Sequence, residues 1–498
     1  MIYINLMEDE TATYMGQKGY TIYKENLDID EQIFLRKDLQ AKPYVPKSSL
    51  NKPKSFAIYR ESHKKFYIPR FYGYENYGVP DEFRLTKGKK INIKFKGELR
   101  DFQKPIVETY LKSAKTKGGG LLEIHTGAGK TVMGLKIIAE LGVKTIIIVH
   151  KEFLLRQWIE RMEQFLPEAK VGKIQGSVID TEDKDVVICM LQSISMKEYP
   201  VSLFSEFGLT VVDECHHISA EVFSRSLFKI VTKYTLGLSA TMKRKDGLTS
   251  VIKMFLGDVV YKKVREGEDN VLVKAITYDI DDEEFNEIEY NFKGQVHYSK
   301  MIKKICEFNR RSEFILKVLK NELETGEKDS QIMILGHNKN LLHYLHDAIK
   351  SRNISTVGYY VGGMKEKDLK LSEGKRVIIG TYAMAEEGLD IKTLTTLIMA
   401  TPKVDVTQAV GRILRRKHKQ AIVIDIIDTH SIFQRHWTKR RAFYRKQKFN
   451  VLHATLNDYK NNRWQTLIKD GKMKRKKKEK ITVETETLKG VCLINLED

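Results

Sequence analysis

The chain has 498 residues, 42% hydrophobic and 30% charged, with 86 Lys and Arg against 65 Asp and Glu for a formal net charge of +21. That length exceeds what one hydrophobic core serves, so three or four folding units are expected, and the positive excess calls for a polyanionic partner. The four cysteines (Cys189, Cys215, Cys306, Cys492) have no ligand or disulfide spacing, the first ten residues lack a signal-peptide pattern, and no apolar run approaches the ~20 residues of a bilayer span. These exclude a secreted disulfide scaffold and a membrane protein, and imply a soluble intracellular protein of cytoplasm or nucleus.

Residues 1–94 are dense in tyrosine and hold most of the nine prolines, between short strand-like runs such as SFAIYR and KFYIPRFYG. A small α/β or mostly β accessory domain is expected. Its interleaved Tyr and Lys/Arg suit base stacking and phosphate contact, or equally the core face of a strand. KGELRDFQ (96–103) then introduces a helix. Arg100 and Gln103 fall three apart on one helical face, and the Gln103 amide offers the donor and acceptor that an adenine edge needs.

From residue 95 to 264 the pattern becomes strand, loop, helix. LLEI leads into HTGAGKT and the periodic segment TVMGLKIIAEL. Thr126, Gly127, Ala128 and Gly129 form a small-residue loop whose backbone N–H groups can curl around phosphate oxygens, with a helix N-terminus aimed at them. Lys130 then reaches the β- and γ-phosphates of ATP, and the Thr131 hydroxyl holds Mg²⁺. Ile124 stands where the first glycine of the general pattern falls. KTIIIVH (144–150), KDVVICML (184–191), LTVVDECHH (209–217) and YTLGLSAT (234–241) read as buried parallel strands alternating with helices: an α/β domain with ligands at the strands' carboxyl ends. There Asp213 is placed to hold Mg²⁺ and Glu214 to polarise the attacking water. His216 is a coupling residue or a histidine merely satisfied by the groups around it, and Ser239 and Thr241 offer small hydroxyls that can bridge the nucleotide to a neighbouring domain.

Residues 265–300 read as a changeover, with seven acids in DIDDEEFNEIE (279–289) left solvated or capping a helix. A helical segment follows at 297–322. The second α/β unit, to residue 430, has strands QIMILGH, RVIIGT, TLIMATP and AIVIDIID, no phosphate loop, and a basic helix after its third strand. On that helix Arg412 and Arg415 lie three apart and can act as arginine fingers across a cleft, while Arg416 and Lys417 suit nucleic acid or solvent. Residues 431–498 form a basic helical extension and a Lys-rich tail. In 435–448, Trp437, Phe443 and Tyr444 suit packing on the domain, with Arg440, Arg441 and Arg445 turned outward or partly to a phosphate backbone. The run 472–480 is a nucleic-acid tether, an import signal or a solvated end.

The series LRDFQ, TGAGKT, DECH, SAT, GTYAMAEEGLD and QAVGRILRR, in order over residues 97–416, resembles the superfamily 2 helicases and translocases. Within them it resembles the branch holding XPB-type translocases, the phage UvsW helicase and the transcript-release DNA helicases of poxviruses and other large DNA viruses. RKDG (244–247) and PRFYGYENYGVP (69–80) point the same way. The resemblance implies two RecA-like domains, ATP-driven movement along nucleic acid in the 3′ to 5′ direction, and DNA favoured over RNA. It further implies transcript release or remodelling of branched DNA, with the transcription machinery as a partner and packaging in a virion if the source is viral. It assigns Gly388 and Asp390 to a motif touching both ATP and strand, and Gln408 to the arginine motif. Against it stand an RNA helicase, a non-motor binding protein with a vestigial ATPase fold, which intact Lys130, Glu214 and paired arginines disfavour, and a nuclease or restriction subunit, for which no further metal-binding acid cluster is evident.

Overall fold

The computed structural model describes residues 12–44, 54–218, 220–242, 244, 246–263, 270–327, 330–387, 391, 393–414 and 420–474. Gly388, Asp390, Arg415, Arg416, Lys417, Cys492 and the lysine run from 475 lie outside them. No helix among the described residues is long and apolar enough to cross a membrane.

The N-terminal residues form a small sheet from Thr13–Gly16 (β1), Gly19–Tyr23 (β2), Arg60–Glu61 (β3), Lys65–Ile68 (β4) and Glu82–Phe83 (β5), in the order β3-β4-β2-β1-β5. Tyr20 and Tyr72 are buried in its core with Met15, Phe66 and Ile68, and Tyr59, Tyr74 and Tyr77 pack against that core, so these tyrosines serve packing. This core runs on into one face of the next sheet, through Phe228, Ile252 and Phe255. Arg70 fastens the seam by donating to the carbonyls of Lys233 (2.7 Å) and Thr232 (3.2 Å).

The first large sheet comprises Gly119–Ile124 (β6), Thr145–Val149 (β7), Val171–Gln175 (β8), Val178–Ile179 (β9), Val186–Met190 (β10), Leu209–Asp213 (β11), Tyr234–Ser239 (β12) and Val259–Lys263 (β13). Its order is β9-β8-β10-β7-β11-β12-β6-β13, parallel except for the edge hairpin β8–β9. The central strands are apolar and β-branched because helices cover both faces. β12 lies between the strand leading into the glycine loop and the strand ending in Asp213, so all three carboxyl ends open on one edge.

The second sheet holds Val271–Tyr278 (β14), Gln331–Gly336 (β15), Val357–Tyr360 (β16), Val377–Thr381 (β17), Leu394–Met399 (β18), Ala421–Asp428 (β19), Asn450–Thr455 (β20), Gln465–Lys469 (β21) and Lys472–Met473 (β22), ordered β16-β17-β15-β18-β19-β14-β20-β21-β22. Two features differ from the sequence reading. Residues 271–278 are not changeover but an interior strand, parallel to β19 and β20 on its two sides. Lys274 and Thr277 within it disguise the apolar run, and each finds a partner, Glu322 at 2.7 Å and His453 at 2.8 Å. Residues 450–473 are likewise mostly strand, with one short helix, Leu456–Lys460, between the first two strands. They carry the sheet three strands further, beyond the helix Ser431–Lys446. The acids after β14 do cap a helix: the Asp282 carboxylate accepts from the Phe285 N–H at the start of Glu283–Asn286.

Candidate active site between the two sheets

The glycine loop leaves β6 at Ile124, which is fully buried as the last strand residue. Gly127 and Gly129 both take left-handed φ, +86° and +84°, the conformations that turn successive N–H groups to one side. A side chain at Gly129 would also meet the Gln103 amide, 2.6 Å from an added Cβ. The helix Lys130–Leu141 starts directly after the loop, with Lys130 and Thr131 in its first turn.

Arg100 and Gln103 do not share a helical face. The helix begins at Lys104, with Pro105 in its first turn, and residues 101–103 form the turn before it. Gln103 folds inward: its carbonyl accepts from the Arg100 N–H (2.9 Å) and its amide donates to the Ala128 carbonyl (2.7 Å). Gln103 thus ties the turn to the glycine loop, while Arg100 is exposed.

Asp213 ends β11 almost fully buried, and burial, with the neighbouring Glu214 charge, pushes its pKa up to about 6. Lys130 and an indole N–H act in the opposite direction. That indole belongs to Trp158, which donates to Asp213 Oδ2 at 2.9 Å. Glu214 sits at φ +47°, uncommon for a non-glycine residue, where the chain turns off the strand. Its carboxylate meets the Lys130 ammonium at 3.1 Å. The two halves of the nucleotide site read from sequence are therefore in contact.

His216 lies at the centre of a polar network. Its Nδ1 is 2.7 Å from Ser239 Oγ and 3.4 Å from Glu214 Oε2, and its Nε2 is 3.5 Å from Gln408 Nε2. Ser239 donates to the Thr241 carbonyl, which leaves its oxygen to accept from the Thr241 N–H and from His216. A proton on Nδ1 suits the Ser239 oxygen and leaves Nε2 to accept from the Gln408 amide. Arg244, seen in the sequence only as part of RKDG, fixes the turn by donating to the His216 (3.1 Å) and Ile218 carbonyls while paired with Asp246.

Gln408 belongs to the helix Thr407–Ile413 of the second unit, and this helix abuts the glycine loop: a Cβ on Gly411 would stand 3.5 Å from the Thr126 Cβ. Arg412, the next residue, is buried there. Lys130, Glu214, His216, Ser239, Gln408 and Arg412 thus gather where the carboxyl edge of the first sheet meets the second unit. Trp158 and the Gly411–Thr126 approach were not legible beforehand, since an indole in an amphipathic helix looks like core.

Among the described residues no cluster of three metal-ligating side chains exists. A Mg²⁺ that travels with nucleotide needs fewer protein ligands. The buried Asp213 carboxylate, whose charge a cation would relieve, and the Thr131 hydroxyl in the first turn after the loop are groups that would suit it.

The family described as "Type III restriction enzyme, res subunit" matches residues 96–244. "Putative ATP-dependent RNA helicase L396" of Acanthamoeba polyphaga mimivirus is 31% identical over 89% of this chain and 87% of its own length. "Putative helicase 161L" of Invertebrate iridescent virus 6 is 26% identical over 84% and 96%, and "DNA 3'-5' translocase XPB2" of Sulfurisphaera tokodaii is 27% identical over 67% and 82%. Among solved structures, T4 UvsW matches at 18% identity over 89% of this chain and 99% of that one, with a TM-score of 0.36. Relatives that cover two thirds or more of the chain, over a parallel sheet opening on a glycine loop and an acid pair, place this chain among the ATP-dependent helicases of superfamily 2, in the branch of the XPB-type translocases and large-virus helicases.

Proposed function

We propose that this helicase moves 3′ to 5′ on DNA in preference to RNA, driven by ATP hydrolysed between the two sheets, in transcript release or the remodelling of branched DNA. The observation that carries the placement of the chemistry is the seating of the helix Thr407–Ile413 against the glycine loop. In this reading the loop N–H groups and Lys130 bind the phosphates and Glu214 orients the attacking water. Arg412 stabilises charge developing on the transferred phosphoryl group. Thr131 and Asp213 would hold Mg²⁺, which when bound would supply neutralisation of phosphate charge. His216 links Glu214 on one side to Gln408 on the other, so a change in the cleft is felt at the carboxylate. Arg415, Gly388 and Asp390 belong to the same proposal from sequence alone.

DNA is favoured by the XPB2 relative's name, while the mimivirus relative's name favours RNA; net charge serves either. The deciding experiment is the ATPase rate with single-stranded, duplex and branched DNA, RNA and an RNA–DNA hybrid in parallel. Stimulation by DNA well above that by RNA is expected. Stimulation by RNA with DNA inert would reverse the assignment.

A further inference from the structure

Asp213 is gripped from two sides. Its Oδ1 accepts the N–H of Glu214 at 2.9 Å and its Oδ2 accepts the indole N–H of Trp158 at 2.9 Å. The first bond comes from the adjoining residue in the same turn. The second crosses from the helix Glu152–Phe165, and together with the first it restrains rotation of the carboxylate.

The indole is itself immobile. Trp158 is fully buried among Leu154, Leu155, Met162 and the strands beneath. Its ring edge fills a slot opened by the glycine at position 134, where an added Cβ would stand 2.9 Å from the ring. Gly134 lies on the helix that starts at Lys130. A side chain there would force a rigid ring to shift, and leucine or alanine would otherwise serve a helix interior better. A rigid donor in a matched slot, aimed at one carboxylate oxygen, does more than fill volume. A phenyl ring would pack there without the N–H.

We infer that Trp158 is a positioning residue for the metal: its indole N–H holds the Asp213 carboxylate in the orientation that receives Mg²⁺ with nucleotide, and Gly134 makes room for it. This rests on the reading of Asp213 as the metal carboxylate. Donors of this kind orient a ligand and leave its free lone pairs directed at the ion, and their loss typically weakens metal affinity about 10- to 100-fold.

The test compares the wild-type protein with Trp158→Phe and with a second form carrying β-(3-benzothienyl)alanine at position 158, which replaces only the N–H by sulfur. Binding of a fluorescent ATP analogue is measured with Mg²⁺ and with EDTA, and ATPase is titrated with Mg²⁺. In both variants the Mg²⁺ concentration for half-maximal hydrolysis should rise about tenfold or more. Nucleotide affinity in EDTA should stay at the wild-type value, and kcat at saturating Mg²⁺ should fall far less. An unchanged Mg²⁺ titration in the benzothienyl form would make Trp158 a core residue only, as would equal loss of affinity with and without the metal. A wild-type protein whose nucleotide binding ignores Mg²⁺ would overturn the metal reading of Asp213 itself, and with it this inference.

Discussion

Gln408 stands 3.5 Å from His216, nitrogen to nitrogen, across the boundary between the two sheets. The pair belongs to the network that continues through Ser239 to Thr241 and through His216 to Glu214. If this contact transmits nucleotide state, Gln408→Ala should lower nucleic-acid-stimulated hydrolysis about tenfold while ATP affinity changes little. His216→Ala should do the same, and the double variant should be no worse than either. Additive losses in that cycle would show two independent sites.

Lys130 and Glu214 are in contact, and the proposed mechanism gives them different roles. Lys130→Ala should lose both nucleotide affinity and hydrolysis. Glu214→Gln should retain ATP binding, because Asp213 and Lys130 remain, while hydrolysis falls by at least about a hundredfold. Equilibrium binding beside single-turnover hydrolysis separates the two, and wild-type turnover in either variant would remove the site.

Arg440 was expected to face outward, and it does not. It is buried, donating to Asp425 at 2.7 Å and to the Lys403 carbonyl at 2.6 Å, with the Tyr444 hydroxyl on the same carboxylate at 3.0 Å. Arg440→Ala leaves Asp425 charged and buried, so a loss of about 3–5 kcal/mol is expected. Arg445→Ala, at an exposed position, should stay within about 0.5 kcal/mol. Thermal and denaturant melts of both variants check this. Equal small losses would mean the buried pair contributes nothing net.

Although solvent reaches His337, packing around its ring holds the imidazole below its ordinary value, with the charges of Lys403 and His436 acting in the same sense. His436 is held to about 4 by burial, then by Arg440 and Lys439. Both lie below the ordinary value of about 6.5. Between the two values the unfolded chain binds protons that the folded chain refuses. The folded state is therefore at full strength above pH ~6.5 and loses ground as pH falls towards ~4. The melting temperature should drop between pH ~7 and ~5, and drop less in His337→Asn, which can keep a hydrogen bond to Thr401 in place of the 2.8 Å contact. An identical pH slope in that variant would discharge His337 from the effect.

Much of this architecture was legible because buried parallel strands have a blunt signature. β7, β11 and β19 are nearly unbroken runs of Ile, Val and Leu, and the glycine loop sits between a strand and a helix. β14 escaped because Lys274 and Thr277 interrupt it, and their partners are distant in sequence. The loop, the acid pair and the arginine helix could each be found from local spacing. That Gly411 meets Thr126 is a matter of how two units dock, which no local pattern encodes. Arg440 misled for a related reason: a basic helix reads as a solvent face until a buried acid such as Asp425 is known to lie beneath it. Gln103 was recognised as amide chemistry, yet its main-chain partners depend on a turn where spacing suggested a helix.

β14 also sets a timetable. It is the first strand of its sheet to be synthesised, whereas its two neighbours, β19 and β20, are among the last. The first large sheet is complete at Lys263 before any strand of the second exists, so it can fold while the chain is still growing. β14 must then wait, unpaired and apolar, for roughly 150 residues of further synthesis. The newborn second unit is thus exposed to wrong pairings for most of its manufacture. Its yield should respond to chaperone supply and growth temperature more than that of a fragment ending at Lys263. Comparing soluble yield of the fragment and the full chain across temperatures measures this directly, and parallel curves would refute it.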